Sequence, residues 1–171
     1  MSWFYQPLLK PAGVSCALTG TITTATEADI VTGGKTIILT LTGDEWVAAG
    51  ASFDAQRQNI INGLDSAQSE GAGWDAVVKA NEVVGAVVRT SATVVTITLS
   101  AHGTYNITAT ETITATVPAT AVVLGQAIIA SPTFNVTASA GADVFFEHLL
   151  NQIEEGMKPV TAAGVGGVLV T

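Results

Sequence analysis

Alternation of apolar and polar positions organises the first part of the chain. In residues 14–23, Val14, Cys16, Leu18 and Ile22 fall on one face, while Ser15, Thr19, Thr21 and Thr23 fall on the other. This period of two predicts a half-buried strand. Thr32-Gly33-Gly34-Lys35 reads as a turn, and Thr36 to Thr42 as a second strand with Ile37, Leu39 and Leu41 inward. Residues 92–99 give a third, with Val95, Ile97 and Leu99 opposite Val94, Thr96 and Thr98. In residues 105–117, Tyr105, Ile107, Ala109, Ile113, Ala115 and Val117 share one side, and Thr108, Thr110, Thr112, Thr114 and Thr116 the other. Branching at Cβ favours extended backbone while each hydroxyl keeps its water, so this threonine ladder predicts a solvated sheet face. Pro118 ends it. A further strand is expected over 126–137, with Pro132 confining part of it to an edge or bulge.

Between the second and third strands the period changes. Ser52 is a candidate N-cap, Asp54 suits the first helical turn, and Phe53, Ile60, Ile61, Leu64 and Ala67 recur at helical spacing. Gly63 would weaken such a helix by about 1 kcal/mol relative to alanine. Gly71-Ala72-Gly73 breaks it, and a second short helix is expected from Trp74 to Val84 with Trp74, Val77 and Val78 buried. Strands on either side of a helical insert, at about 53–84, predict a mainly β fold, an antiparallel sandwich spanning 14–137.

Both ends differ from this core. Residues 1–13 form an apolar N-terminal arm that holds Trp3, Phe4, Tyr5, Leu8 and Leu9, and Pro7 and Pro11 exclude regular helix there. Burying such side chains is worth about 1.5–3 kcal/mol each, so they are expected to cover this chain's own sheet or a neighbouring subunit. Residues 138–171 begin with a small-residue linker, Ala138 to Ala142. A helix capped by Asp143 is then expected to run to about Met157, its apolar stripe made by Phe145, Phe146, Leu149, Leu150, Ile153 and Met157. After Pro159 no charged side chain occurs, and Val168, Leu169 and Val170 suit an extended arm that adds to a sheet edge. An amphipathic helix with two apolar arms predicts assembly, as a homo-oligomer or a multi-copy array.

Composition narrows the function. Of 171 residues 48% are apolar and 12% charged, the latter about half the usual quarter; the chain has matter for a core and is not disordered throughout. Six basic against fourteen acidic side chains give a net charge of −8, which makes a nucleic-acid backbone an unfavourable partner. No apolar run reaches the roughly 18 residues of a membrane span, and the N-terminus lacks the basic start and unbroken apolar stretch of an export signal. The chain is expected to act where it is made, without membrane or nucleic acid as partner.

Chemistry finds little to work with. Cys16 is the single cysteine, so no intrachain disulfide is possible, and its place in the alternation suggests a buried small hydrophobe. His102 and His148 are the only histidines, with no metal-ligand spacing between them. Glu27, Asp29, Asp44 and Glu45 could gather at a loop end as a calcium or glycosidase site, or remain separate solvated charges. No GxSxG elbow occurs. Gly33-Gly34-Lys35-Thr36 fails as a phosphate loop because Asp29 stands where the first glycine belongs and a strand follows. Gly164-Val165-Gly166-Gly167 has no helix left to open, which rules out a dinucleotide fingerprint. No catalytic residue, metal or cofactor is expected.

The run from Ala28 to Leu41 resembles the opening of the Ig-like modules of tailed-bacteriophage virion proteins. So do Asp44-Glu45-Trp46-Val47 and the run from Phe53 to Leu64. Val88-Arg89-Thr90-Ser91, Thr93 to Leu99 and Tyr105 to Ile113 continue the likeness, which covers about 18–137 and leaves both arms outside. The resemblance implies an Ig-like β-sandwich without an active site, borne on a capsid, tail or fibre. A single module with two arms then suggests a capsid decoration or cement protein, made in the host cytoplasm and found in the virion. It would bind the major capsid protein or another virion protein through Trp3, Phe4, Tyr5, Leu8 and Leu9 and the apolar residues of 145–170 named above. The alternatives are a tail, neck, baseplate or fibre component, or a host-surface or glycan-binding module presenting Trp46 and Trp74; core packing is the other role open to these two.

Overall fold

In a computed structural model of the chain, which describes residues 13–68, 71–125 and 131–139, the alternating segments pair into two four-stranded sheets that pack as a sandwich. The strands are β1 (Ser15–Thr19), β2 (Ala25–Thr26), β3 (Thr36–Thr42), β4 (Leu64–Ser66), β5 (Val87–Arg89), β6 (Val94–Thr98), β7 (Glu111–Ala115) and β8 (Thr133–Thr137). One sheet runs β1-β3-β6-β5 and the other β2-β8-β7-β4. In the first, Leu39 faces Leu18 on β1 and Val95 on β6, and Ile37 faces Ile97. Same-face apolar pairs of this kind are the stabilising unit of a sheet, and these point into the core, where Ile37, Leu39, Val95 and Ile97 are buried. The expected bounds and inward face of β3 are borne out, as is the inward face of β6.

The opening strand is shorter than its alternation suggests. Gly20 adopts φ 105°, and a Cβ there would sit 2.5 Å from the Thr36 carbonyl oxygen. Only glycine fits both the dihedral and the close approach. The chain leaves the first sheet at this point, makes one 3₁₀ turn (Thr21–Thr24) that buries Ile22, and enters the second sheet as β2. There it pairs with β8 in parallel, Ala25 opposite Val136. The sandwich is therefore mixed, a correction to the antiparallel sandwich expected from the sequence.

A short helix that the sequence reading passed over follows directly. Thr26 caps α1 (Glu27–Thr32): its hydroxyl accepts from Asp29 N, while the Asp29 carboxylate accepts from Thr26 N. This reciprocal pair satisfies two orphan donors of the first turn. The insert differs in detail too. Gly50, not Ser52, precedes α2 (Ala51–Asp54), and α3 (Arg57–Asn62) ends at Gly63, so Leu64 belongs to β4 and not to a helix continuing to Ala67. Helix α3 packs on β4 and β5, edge strands of different sheets, and covers that side of the sandwich. Trp74–Lys79 is a π-helical segment with Trp74, Val77 and Val78 buried as expected. Tyr105 and Ile107 are buried, but Ala109 is exposed and regular strand begins only at Glu111. Of the strand expected over 126–137, β8 occupies 133–137, and 126–130 lie outside the described residues.

Trp46 and Trp74 anchor the interior. Each is fully buried with its ring N–H satisfied, Trp46 Nε1 by the Thr93 carbonyl at 3.0 Å and Trp74 Nε1 by the Leu64 carbonyl at 3.1 Å. Trp74 also meets Phe134 edge-on at 5.3 Å between ring centres, a favourable aromatic geometry.

Gly63 yields a sharp test. Its φ of −74° suits any residue, and alanine should gain about 1 kcal/mol of helix propensity. Yet a Cβ there would lie 2.0 Å from the Thr116 carbonyl oxygen, and Thr116 N already donates to Gly63 O at 2.7 Å. Gly63→Ala is therefore expected to destabilise by at least about 2 kcal/mol, read as a lower urea midpoint with unchanged slope; a raised midpoint would refute the close approach.

Candidate functional site

The residues expected to bind a partner, Trp3, Phe4, Tyr5, Leu8 and Leu9 at one end and Phe145, Phe146, Leu149, Leu150, Ile153, Val168, Leu169 and Val170 at the other, lie outside the described residues, as does His148. Within them, the polar groups with most chemical interest are three buried carboxylates.

Glu111 opens β7 in phase with Ile113 and Ala115, so the pleat aims it into the core, where it is 1% exposed. Its Oε2 accepts from the Tyr105 hydroxyl at 2.7 Å and from Trp74 N at 2.9 Å, and the Ser66 hydroxyl lies 3.3 Å from Oε1. Burial pushes the Tyr105 phenol well above its usual range, and the adjacent Glu111 carboxylate pushes it further. The alternation in 105–117 passes through Glu111, which was the available signal that an acid points inward.

Glu82 and His102 form the second cluster. Glu82 Oε2 lies 2.9 Å from His102 Nε2, and Oε1 accepts from the Ser100 hydroxyl at 2.9 Å and from Val83 N at 3.1 Å. His102 N in turn donates to the Ile30 carbonyl at 3.1 Å. Serine, histidine and carboxylate are together here, but in the wrong order for a nucleophile. A triad needs the hydroxyl on the imidazole and the carboxylate on the other ring nitrogen. Here hydroxyl and imidazole both bind the carboxylate, an arrangement that ties the end of the π-helical segment to the chain leaving β6.

Of the four carboxylates considered from sequence, Glu45 is exposed and the other three do different jobs. Asp29 accepts from Thr26 N at 2.8 Å and pairs with Lys35 at 3.3 Å. The hydrogen bonds from Thr26 N and its hydroxyl hold its carboxyl below the ordinary range, with Lys35 adding to the effect. Glu27 Oε2 accepts from Ser139 N at 2.8 Å. Asp44, the third buried carboxylate, binds backbone N–H groups of Glu45 and Leu124. Among the described residues, no three His, Cys, Asp or Glu side chains converge to hold a metal ion.

Cys16 faces Leu41 across the β1–β3 pair and is buried; burial pushes its thiol up to about 11. Full burial also removes Trp46 and Trp74 as platforms for stacking on a sugar. What the sequence reading did not single out is an exposed aliphatic pair, Val123 and Leu124, beside an open cleft lined also by Gly43, Asp44, Glu45 and Thr93. Two adjacent large apolar residues just before Gly125 were the only signal. No protein-family model, curated protein or solved structure matches this chain.

Two measurements check this chemistry. Tyr105→Phe removes a hydrogen bond to a buried carboxylate and is expected to cost about 1.5–3 kcal/mol at neutral pH. In the native chain the raised phenol stays protonated above pH 10, whereas the unfolded one ionises at about 10. Its contribution is therefore fully present below about pH 10 and is lost above it at up to about 1.4 kcal/mol per pH unit. Urea melts between about pH 9 and 11 should show a steeper decline in the native chain than in Tyr105→Phe; parallel declines would refute the assignment. Second, with a thiol near 11 only about one Cys16 in a thousand is ionised at pH 8. An aromatic disulfide reagent should label it only as fast as the chain opens, with immediate labelling in denaturant.

Proposed function

We propose that this chain is a non-enzymatic structural protein of a tailed-phage virion, a decoration or cement subunit bound to the capsid lattice. The strand order supports the Ig-like part of this reading. Lettered along the chain, β1, β3, β6 and β5 take the places of A, B, E and D, and β4, β7 and β8 those of C, F and G, with β2 added at the edge beside β8. A buried tryptophan bonded to the C-position strand, Trp74 on Leu64, is a further point of likeness.

The observation that carries the functional reading is the contrast between core and ends. In the described core, buried acids and tryptophans hold the sandwich's own connections together. Residues 1–13 instead hold three aromatic and several aliphatic side chains with Lys10 as their single charged side chain, and residues 160–171 have no charged side chain. Such segments suit adhesion by buried area, where a standard interface covers about 1,600 Å² in total and a few aromatic anchors dominate its energy.

Co-sedimentation of the full chain with shells assembled from the co-encoded major capsid protein tests the proposal. Binding is expected, and replacing Trp3, Phe4 and Tyr5 together by alanine should weaken it at least tenfold, since each anchor is worth about 2 kcal/mol or more. The melting temperature of the sandwich should stay nearly unchanged. No binding by the native chain, or full binding by the triple variant and by a Phe145→Ala, Phe146→Ala variant alike, would overturn it.

A further inference from the structure

Val123 is 60% exposed and Leu124 56%, although burying side chains of this size is worth about 1.5–3 kcal/mol each. The backbone that carries them is firmly held. Trp46 and Val122 form an antiparallel bridge. Val47 N donates to Ala121 O and Val123 N to Glu45 O, both at 2.9 Å. Leu124 N donates to the Asp44 carboxylate, 3.1 and 3.2 Å from its two oxygens, and Asp44 Oδ1 also accepts from Glu45 N at 2.7 Å. A fully buried indole and a buried carboxylate thus fix two aliphatic side chains in water.

Beside this pair opens a cleft of about 460 Å³, lined by Gly43, Asp44, Glu45, Thr93, Val123 and Leu124. Among the described residues its lining carries two carboxylates and no cation. Those of Asp44 are taken up by backbone N–H groups, whereas Glu45 is exposed. We propose that this cleft docks a partner protein through an aliphatic side chain set next to a lysine or arginine. The aliphatic group would cover Val123 and Leu124, and the cation would meet Glu45. The cleft is open and its aliphatic side chains are more than half exposed, so a small molecule would stay largely wet, while a protein surface would cover cleft and side chains together. Because the backbone is already fixed, little ordering remains to be done on contact.

The test is a nuclear magnetic resonance titration of the isotope-labelled full chain with two Gly/Ser peptides, one carrying a central Leu-Arg pair and one a Leu-Glu pair. The first is expected to shift signals of Glu45, Thr93, Val123 and Leu124, and the second to bind about fivefold more weakly at the same residues. Leu124→Asp, on an exposed side chain, should abolish the response while the remaining spectrum stays native; Glu45→Lys should weaken it about fivefold. No response to the Leu-Arg peptide, or an equal response to both, overturns the proposal. So do shifts of Val123 and Leu124 that follow protein concentration without peptide, since they would make a second copy the occupant. No capsid enters this titration, so its result is independent of the virion reading.

Discussion

Taking an ionised carboxylate out of water costs several kcal/mol unless protein dipoles replace its hydration. At Glu111 those dipoles come from separate stretches of chain: the amide of Trp74, the phenol of Tyr105 and the hydroxyl of Ser66. The acid is tolerable only when strand β7, the end of β4, the start of the π-helical segment and the connection before β7 are all in place. Hydrophobic burial is non-directional and would accept many arrangements of these pieces. The carboxylate accepts one.

The same device recurs. Glu82 joins the end of the π-helical segment to Ser100 and His102, and Asp44 joins the chain after β3 to Leu124. With a single cysteine in the chain, no intrachain disulfide can brace these connections, and buried acids take that role. They are also the groups an enzyme reading would seize on. Their oxygens are occupied by N–H and O–H donors that hold the fold.

The sequence made some elements plain and concealed others. Strands β3 and β6 lie at the centre of their sheet, and their long inward-outward alternation was readable residue by residue. Helix α1 has six residues, too few for a 3.6-residue period to show, and only the Thr26–Asp29 capping pair announced it. Ile60, Ile61 and Leu64 fit a helical spacing, but β4 is three residues long and cannot show an alternation of its own. Extending the ladder of 105–117 back to Tyr105 treated buried residues as proof of regular strand; Tyr105 and Ile107 reach the core from an irregular connection instead. For the candidate site, acid positions were visible and their partners were not, because every decisive hydrogen bond except the short-range ones joins residues distant in sequence. The Val123–Leu124 pair lacked any period to mark it.

The crossing at Gly20 bears on mechanics. Because the chain changes sheets there, β1 is bonded to one layer and β2 to the other, and β2 lies parallel to β8. Tension applied between residues 13 and 139 would drag β2 and β8 past each other lengthwise, loading their hydrogen bonds together instead of peeling them open singly. A body stitched in this way resists being pulled apart from its ends more than its short edge strand would suggest.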